Sequence, residues 1–237
     1  MATPQDVDST LVERTFAIGD LHGEVTLLRR LLATLQPQPT DTLIFLGDYV
    51  DRGEDSVATV EEIAALRTQT QVIALRGNRD AAWLEVFTGN SYRQRPAIPG
   101  ARALWDPYRG LPPVSLGRFL ATTVLTYEDE YAYYCHAGAH PGLPFRQTPP
   151  EELLWGPPGF WNERDAQGRR VGWGKPVVCG HYEVATPVVT PIRVCVDTAA
   201  YRTGMLTAIE VLSQRVITVR RTHARTVDDI ASATTFS

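Results

Sequence analysis

Short apolar runs alternate with amphipathic helical stripes over residues 15–75, and this alternation constrains the fold more than any other feature of the chain. Residues 15–18 read as a strand, after which Leu27, Leu28, Leu31, Leu32 and Leu35 recur at helical spacing and mark one apolar face. Pro37 and Pro39 end that helix. Residues 42–46 form a second apolar run, Val57, Val60, Ile63 and Leu66 a second stripe, and residues 71–75 a third run, so the order is β-α-β-α-β. Strands joined by helical crossovers lie parallel, in a sheet covered on both faces that gathers ligands at its carboxyl ends. Functional residues are therefore expected just past each strand.

Beyond this unit the pattern changes. Residues 89–117 and 141–175 are dense in proline, glycine, arginine and aromatics and are expected to be loop insertions. The second carries Trp155, Trp161 and Trp173, whose expected role is to anchor the loop to the core, with a groove lining as the alternative. Short β-rich runs at 121–126, 131–135, 176–179, 192–196, 205–211 and 215–219 predict a second, partly antiparallel sheet, and the residues from Arg225 on read as a frayed tail. With 237 residues, 43% of them hydrophobic, the chain is long enough for a sizeable core, and one domain over 1–237 is expected. A net charge of -4 gives little reason to coat a nucleic acid or an anionic membrane, and no segment reaches the roughly 18 apolar residues of a span. The N-terminal ten residues lack a basic start and an apolar stretch. Cys135, Cys179 and Cys195, odd in number and at the ends of apolar runs, read as reduced buried thiols. These features point to a cytoplasmic protein with neither a nucleic-acid polymer nor a membrane as partner; they leave the oligomeric state open.

The first three strands stop at Gly19-Asp20-Leu21-His22-Gly23, Gly47-Asp48-Tyr49-Val50-Asp51-Arg52-Gly53 and Gly77-Asn78-Arg79-Asp80, and two later ones at Cys135-His136-Ala137-Gly138 and Cys179-Gly180-His181. Five strand ends thus deliver Asp20, His22, Asp48, Asn78, His136 and His181 toward one place. Carboxylate and amide oxygens mixed with imidazoles suit divalent first-row metals such as Mn, Fe or Zn, and six side chains are about what a pair of ions needs. Any one of these residues taken alone would be an ordinary turn residue; their joint occurrence in order is the signal. His140 and His223 match no motif and read as structural or solvated, the cysteines beside the histidines as small apolar fillers, and Asp197 as either an acceptor for a ligating histidine or a turn residue.

The series GDLHG, GDYVDRG, GN-x-D, HAG and GH resembles the calcineurin-type metallophosphoesterases, specifically the phosphoprotein phosphatase branch with its bacterial members, over residues 15–211. The resemblance implies an α/β fold, a β-sandwich of two mixed sheets flanked by helices, with the β-α-β-α-β unit holding metals at its strand ends. It implies that Asp20 and His22 hold one metal together with His181, that Asn78 and His136 hold the other, and that Asp48 bridges both. Two divalent ions are implied, Mn first, with Fe or Zn as alternatives. A hydroxide between them would attack phosphorus in line. Arg52 would bind phosphate through its planar fork, and Asp51 would support the leaving-group end.

Three positions leave the family pattern. Family members usually carry histidine where this chain has Arg79, and that histidine, paired with the acid at Asp51, protonates the leaving alkoxide; an arginine cannot shuttle protons near neutrality. Arg79 is expected instead to stabilise charge on the phosphate or leaving group. Pro157 stands where bacterial relatives commonly place a phosphate-binding arginine, a role for which Arg164 is the candidate in the following loop. Asp197-Thr198-Ala199 replaces the usual Asp-Thr-Gly. The leading expectation is hydrolysis of phosphoserine and phosphothreonine in proteins. The alternatives are hydrolysis of bis-nucleoside polyphosphates or another phosphoanhydride, or a catalytically weakened phosphate-binding module; either way the partner is a phosphoprotein or a small phosphorylated substrate.

Overall fold

The computed structural model describes residues 13–89, 104 and 112–221. Most of the insertion expected near 89–117, the tail from Arg225, His223 and the first ten residues lie outside the described residues.

Strands β1 (Thr15–Ile18), β2 (Thr42–Phe45) and β3 (Gln71–Ala74) pair in parallel and in register, Ile18 opposite Phe45 and Phe45 opposite Ala74. The sheet continues past β1 with β9 (Met205–Glu210) and β10 (Arg215–Arg220), both antiparallel, in the order β10-β9-β1-β2-β3. A second sheet runs β4-β5-β6-β8-β7, with β5 (Tyr133–Cys135), β6 (Val177–Cys179) and β8 (Arg193–Cys195) parallel and the short strands β4 (Thr126–Glu128) and β7 (Val188–Val189) antiparallel at its edges. Both sheets are therefore mixed.

Alternation along the strands decides the layers. Ala17, Ile44, Leu46 and Ile209 of the first sheet meet Tyr134, Val178 and Val194 of the second in a buried core between the sheets. Phe16, Ile18, Leu43 and Phe45 point the other way, onto helices α1 (Val25–Leu35), α2 (Ser56–Leu66) and α3 (Asn78–Thr88). The leucine stripe predicted for α1 buries Leu27, Leu28, Leu31 and Leu35 there, and truncating one such leucine to alanine costs about 2–5 kcal/mol. On the far face of the second sheet, Cys135, Cys179 and Cys195 are buried free thiols under Phe145, Leu153, Phe160 and Trp173. The fold is thus α/β, two mixed sheets face to face with helices outside.

Three expectations change. The runs at 205–211 and 215–219, expected in the second sheet, extend the first as β9 and β10, because β9 pairs antiparallel with β1. Residues 121–126 do not form a strand: Leu116, Phe119 and Leu120 bury one face of α4 (Val114–Ala121), which packs on α2 and α3, and Val124 makes only an isolated bridge with Leu75 before β4 begins at Thr126. The run read as a strand begins at the last, exposed residue of that helix and is mostly the connection from it to β4. The insertion at 141–175 holds a 3₁₀ turn (Phe145–Gln147) and helix α5 (Pro150–Trp155), which starts with proline where a missing N–H costs nothing. Among the described residues no helix is long and apolar enough to cross a membrane.

Candidate metal centre

The carboxyl ends of β1, β2, β3, β5 and β6 meet at one edge of the sandwich. Leu46 N donates to Ile18 O and Leu75 N to Phe45 O, so the three parallel strands end level, and Gly180 N donates to His136 O to hold the second sheet's loops together. Asp20 and His22 follow β1, Asp48, Asp51 and Arg52 follow β2, Asn78 opens α3, and His136 and His181 follow β5 and β6. The turns are tight. His22, Asp48, Asp51, Arg52 and His181 all hold positive φ (46°, 51°, 71°, 69° and 61°), a conformation that costs about 1–2 kcal/mol per non-glycine residue. The surroundings impose it: Leu21 and His22 N–H groups donate to Asp48 O, and the buried Asp80 carboxylate accepts from Gly77, Asp48 and Tyr49 N–H at 2.8, 2.7 and 3.0 Å. Asp80, singled out in the motif without a role, is the clamp that sets the β2 and β3 ends. Two glycines are required by close approach, because a Cβ on Gly77 would stand 2.1 Å from Asp48 Oδ1 and one on Gly180 2.1 Å from Asp20 Oδ1.

The donor atoms converge. Asp20, Asp48 and His136 each offer an atom within 4.8 Å of the others. His136 Nε2 lies 3.1 Å from Asn78 Oδ1, 3.2 Å from His181 Nδ1 and 3.6 Å from Asp48 Oδ1, while His22 Nε2 lies 3.7 Å from Asp48 Oδ2. His136 Nδ1 is 2.8 Å from Leu46 O and His22 Nδ1 3.1 Å from Val50 O; donation to these carbonyls leaves each Nε2 a lone pair facing inward, as metal-binding imidazoles require. His181 N donates to both Asp20 oxygens at 3.2 Å.

Electrostatics agree with the donor chemistry. Burial brings the His22, His136 and His181 imidazoles down to about 4, so the rings are neutral near pH 7. Burial pushes the Asp20 carboxyl up, with the Asp197 and Asp48 charges adding to it, and pushes Asp51 up to about 6 and Asp197 up to about 7. Asp20, Asp48, Asp51, Asp80 and Asp197 are all buried in one neighbourhood with Arg79 as the buried cation among them. Like charges held this close out of water call for further positive charge. The residues present thus fit divalent cations by donor type, lone-pair direction and charge.

A cleft of about 250 Å³ opens over this cluster, lined by Asp20, His22, Asp48, Asn78 and His181 together with Arg52, Arg79, Trp155, Glu183 and Asp197. Arg79 is only 5% exposed. Its Nη1 lies 3.4 Å from Asp51 Oδ2, its Nε 3.5 Å from Asp48 Oδ2, and its backbone N–H donates to Asp48 Oδ1 at 3.0 Å. Asp51 also accepts from Trp83 Nε1 at 2.8 Å. Arg52 reaches the cleft with its guanidinium 4.3 Å from the Tyr201 ring centroid and Nη1 3.3 Å from Glu183 Oε1.

Other candidates separate. Arg164 does not line this cleft: its Nη1 is tied to Gly168 O at 2.7 Å, and it borders two other hollows in the loop, so the arginine missing at Pro157 is not replaced from there. The tryptophans divide. Trp173 is buried and donates to His140 O, the anchoring role expected of all three, whereas Trp155 is 52% exposed and lines the cleft with its ring edge-on to His181. Trp161 is partly exposed and packs on Phe160 and Tyr182. Asp197 accepts from Ala199 N–H at 2.8 Å, a turn contact. Trp83, Glu183 and Tyr201 carry no sequence signal, because their roles arise from tertiary contacts across long separations.

Residues 13–195 match the family model of the calcineurin-like phosphoesterases. Among solved structures, the chain is similar to one named a “putative diadenosine tetraphosphatase”, at 20% identity over 91% of this chain and 96% of that one, with a TM-score of 0.67. It is also similar to a cold-active protein-tyrosine phosphatase of a psychrophilic Shewanella species, at 16% identity over 88% of this chain and 78% of that one, TM-score 0.62. A protein serine/threonine phosphatase from Saccharomyces cerevisiae aligns at 16% identity over 91% of this chain and 82% of that one, TM-score 0.58. At these identities the structures share the fold.

Proposed function

The chain belongs to the calcineurin-like phosphoesterase family, and from that premise we propose that it hydrolyses phosphate compounds whose leaving group departs without a proton, bis-nucleoside polyphosphates and other phosphoanhydrides first among them. The observation that carries this reading is Arg79, buried against Asp51 and Asp48. In that place a histidine would protonate the leaving oxygen; a guanidinium stays charged and gives up no proton near neutrality. A serine alkoxide needs that proton, and a phosphate leaving group does not.

In this proposal Asp20, His22, Asp48, Asn78, His136 and His181 would together hold a pair of divalent ions, Asp48 being placed near both His22 and His136 to serve the two, with Mn as the first candidate and Fe or Zn as alternatives. When bound, the ions supply Lewis acidity at phosphorus and acidify the attacking water. Arg52 takes the phosphate oxygens through charge-assisted hydrogen bonds. Arg79, fixed in place by two carboxylates, stabilises negative charge as it grows on the leaving side. The exposed face of Trp155 at the rim offers a stacking surface for a nucleobase. The similar structure named for diadenosine tetraphosphate supports the choice by fold alone.

A turnover comparison tests this. Mn-loaded protein is offered diadenosine tetraphosphate, an aryl phosphate and phosphoserine peptides, and the expected order of kcat/KM is anhydride, then aryl ester, then peptide. Peptides hydrolysed as fast as the anhydride return the protein to phosphoprotein chemistry, and binding of phosphate without turnover of any substrate marks a binding module.

A further inference from the structure

Arg52 is not left to find its own position. It sits in left-handed backbone at φ 69° in the turn after β2, and its side chain lines the cleft. There its guanidinium lies over the Tyr201 ring, and its Nη1 meets Glu183 Oε1. The same Glu183 oxygen accepts from Tyr201 Oη at 2.8 Å, and Glu183 Oε2 accepts from Arg202. Tyr201 also presses edge-on against His22, ring centroids 5.1 Å apart. Tyr201 and Arg202 come from helix α6 (Ala200–Thr203), and Glu183 from the loop after β6, so two segments at least 131 residues from Arg52 close on its guanidinium.

We infer that Glu183 and Tyr201 are positioning residues that hold Arg52 in the orientation that receives a phosphate. This rests on the reading of Arg52 as the phosphate-binding residue of a phosphoesterase. An arginine side chain loses substantial rotamer freedom when it is fixed on a ligand. A ring beneath its plane and a carboxylate on one Nη meet part of that cost before the ligand arrives, leaving the other N–H groups for the anion.

The alternative role for Glu183 has the opposite sign. A carboxylate at the mouth of an anion site repels the anion, so if repulsion were its main effect, removing its charge would tighten phosphate binding. If positioning dominates, removing it loosens phosphate binding despite the lost repulsion. Glu183 is not fully buried, and Glu183→Gln keeps its shape, so the variant is expected to fold with its metals in place.

The experiment is titration of Mn-loaded protein with inorganic phosphate, read by calorimetry, with metal content measured on every variant. Glu183→Gln is expected to weaken phosphate about 5–10-fold, Tyr201→Leu similarly, and Tyr201→Phe, which keeps the ring and loses the hydroxyl, by less. Arg52→Ala is expected to weaken it about 10–150-fold. In the Arg52→Ala background, Glu183→Gln should change phosphate affinity less than about twofold, because a positioning residue acts only through what it positions. Tighter phosphate binding in Glu183→Gln, or an equal loss with and without Arg52, overturns the inference. Unchanged phosphate affinity in Arg52→Ala overturns the phosphate reading of Arg52 itself. Loss of phosphate affinity in Arg52→Ala but not in Glu183→Gln sinks only the positioning role.

Discussion

The candidate metal-binding wall of the cleft and the wall at its mouth are built by different means. Asp20, Asp48, His22 and His136 are buried, set on turns directly after strands, and oriented by backbone groups: Leu46 O and Val50 O for the imidazoles, Asp80 and the Gly77 approach for Asp48. The wall at the mouth is made of long side chains on loops and short helices: Arg52, Glu183, Trp155 and Tyr201 are partly or largely exposed, Arg52, Glu183 and Tyr201 hold one another, and Trp155 meets the His181 ring. A wall whose positions are fixed by backbone geometry tolerates few substitutions, because each ligand depends on a turn that only certain residues complete. A wall made by side chains can change its residues and its substrate without disturbing the metals. Of the departures from the family pattern, Pro157 and Ala199 stand beside this second wall, close in sequence to Trp155 and Tyr201, whereas Arg79 is buried on the first, against Asp48 and Asp51.

The sharpest break in the comparison is expected on the metal side. Both Asp48→Asn and Gly180→Ala should leave the sandwich folded yet weaken metal binding, Asp48→Asn by at least ~100-fold and Gly180→Ala by about 10–100-fold, the cost of disturbing an outer partner of a metal ligand. Gly180→Ala does so without touching a ligand, through the Cβ that would meet Asp20 Oδ1. Elemental analysis and a thermal-shift titration with Mn read both, because ions that bind only the folded state raise its melting temperature. Full Mn occupancy in Gly180→Ala would show that the metal wall is more forgiving than its geometry implies.

Away from the candidate metal ligands the effects are smaller and depend on the substrate. Arg79→His places an acid beside Asp51, and phosphoserine hydrolysis should rise tenfold or more, within the roughly 10²–10⁴-fold that a positioned acid contributes, while aryl phosphate hydrolysis changes much less. Equal slowing of both substrates with metals intact would make Arg79 an adapted substrate clamp. Trp155→Ala should raise the KM for a dinucleoside polyphosphate about fivefold or more and leave that for a small aryl phosphate nearly unchanged, since stacking on a base is worth about 1–3 kcal/mol. A uniform rise for both would assign Trp155 to loop structure.

The smallest effect concerns the fold beneath the second wall. Ala199 sits at φ 53° and ψ 57°, a left-handed conformation that glycine adopts without penalty, at the start of the helix that carries Tyr201. Ala199→Gly should stabilise the protein by about 1 kcal/mol, raising Tm by roughly 2–4 °C. Thermal unfolding that shows no gain would mean that flexibility added to the unfolded chain offsets the relieved strain.

Legibility in the sequence followed the same division. Asp20, Asp48, Asn78, His136 and His181 lie just past apolar strands, so strand periodicity alone placed them at one edge. The α1 and α2 stripes were readable for the same reason: burial of one helical face leaves a period in the sequence. Residues 121–126 differ from the expectation because their β-branched Thr122, Thr123 and Val124 carry strand propensity but make only one isolated bridge, to Leu75, in the connection between α4 and β4. Glu183, Tyr201 and Trp83 could not be found this way. Glu183 lies 131 residues from Arg52 and Trp83 lies 32 from Asp51, and no local pattern records a contact formed when separate loops close over a cleft.

The measurement that bears most directly on the account is the dependence of kcat/KM on leaving-group acidity, taken with Mn-loaded protein across aryl and alkyl phosphate monoesters and one phosphoanhydride. With Arg79 in place of an acid, the rate should fall steeply as the leaving group becomes more basic, the anhydride ranking among the fastest and phosphoserine among the slowest. A flat dependence, with phosphoserine peptides keeping pace with aryl esters, would mean that a proton reaches the leaving oxygen after all and would contradict the assignment of this cleft to leaving groups that depart unprotonated.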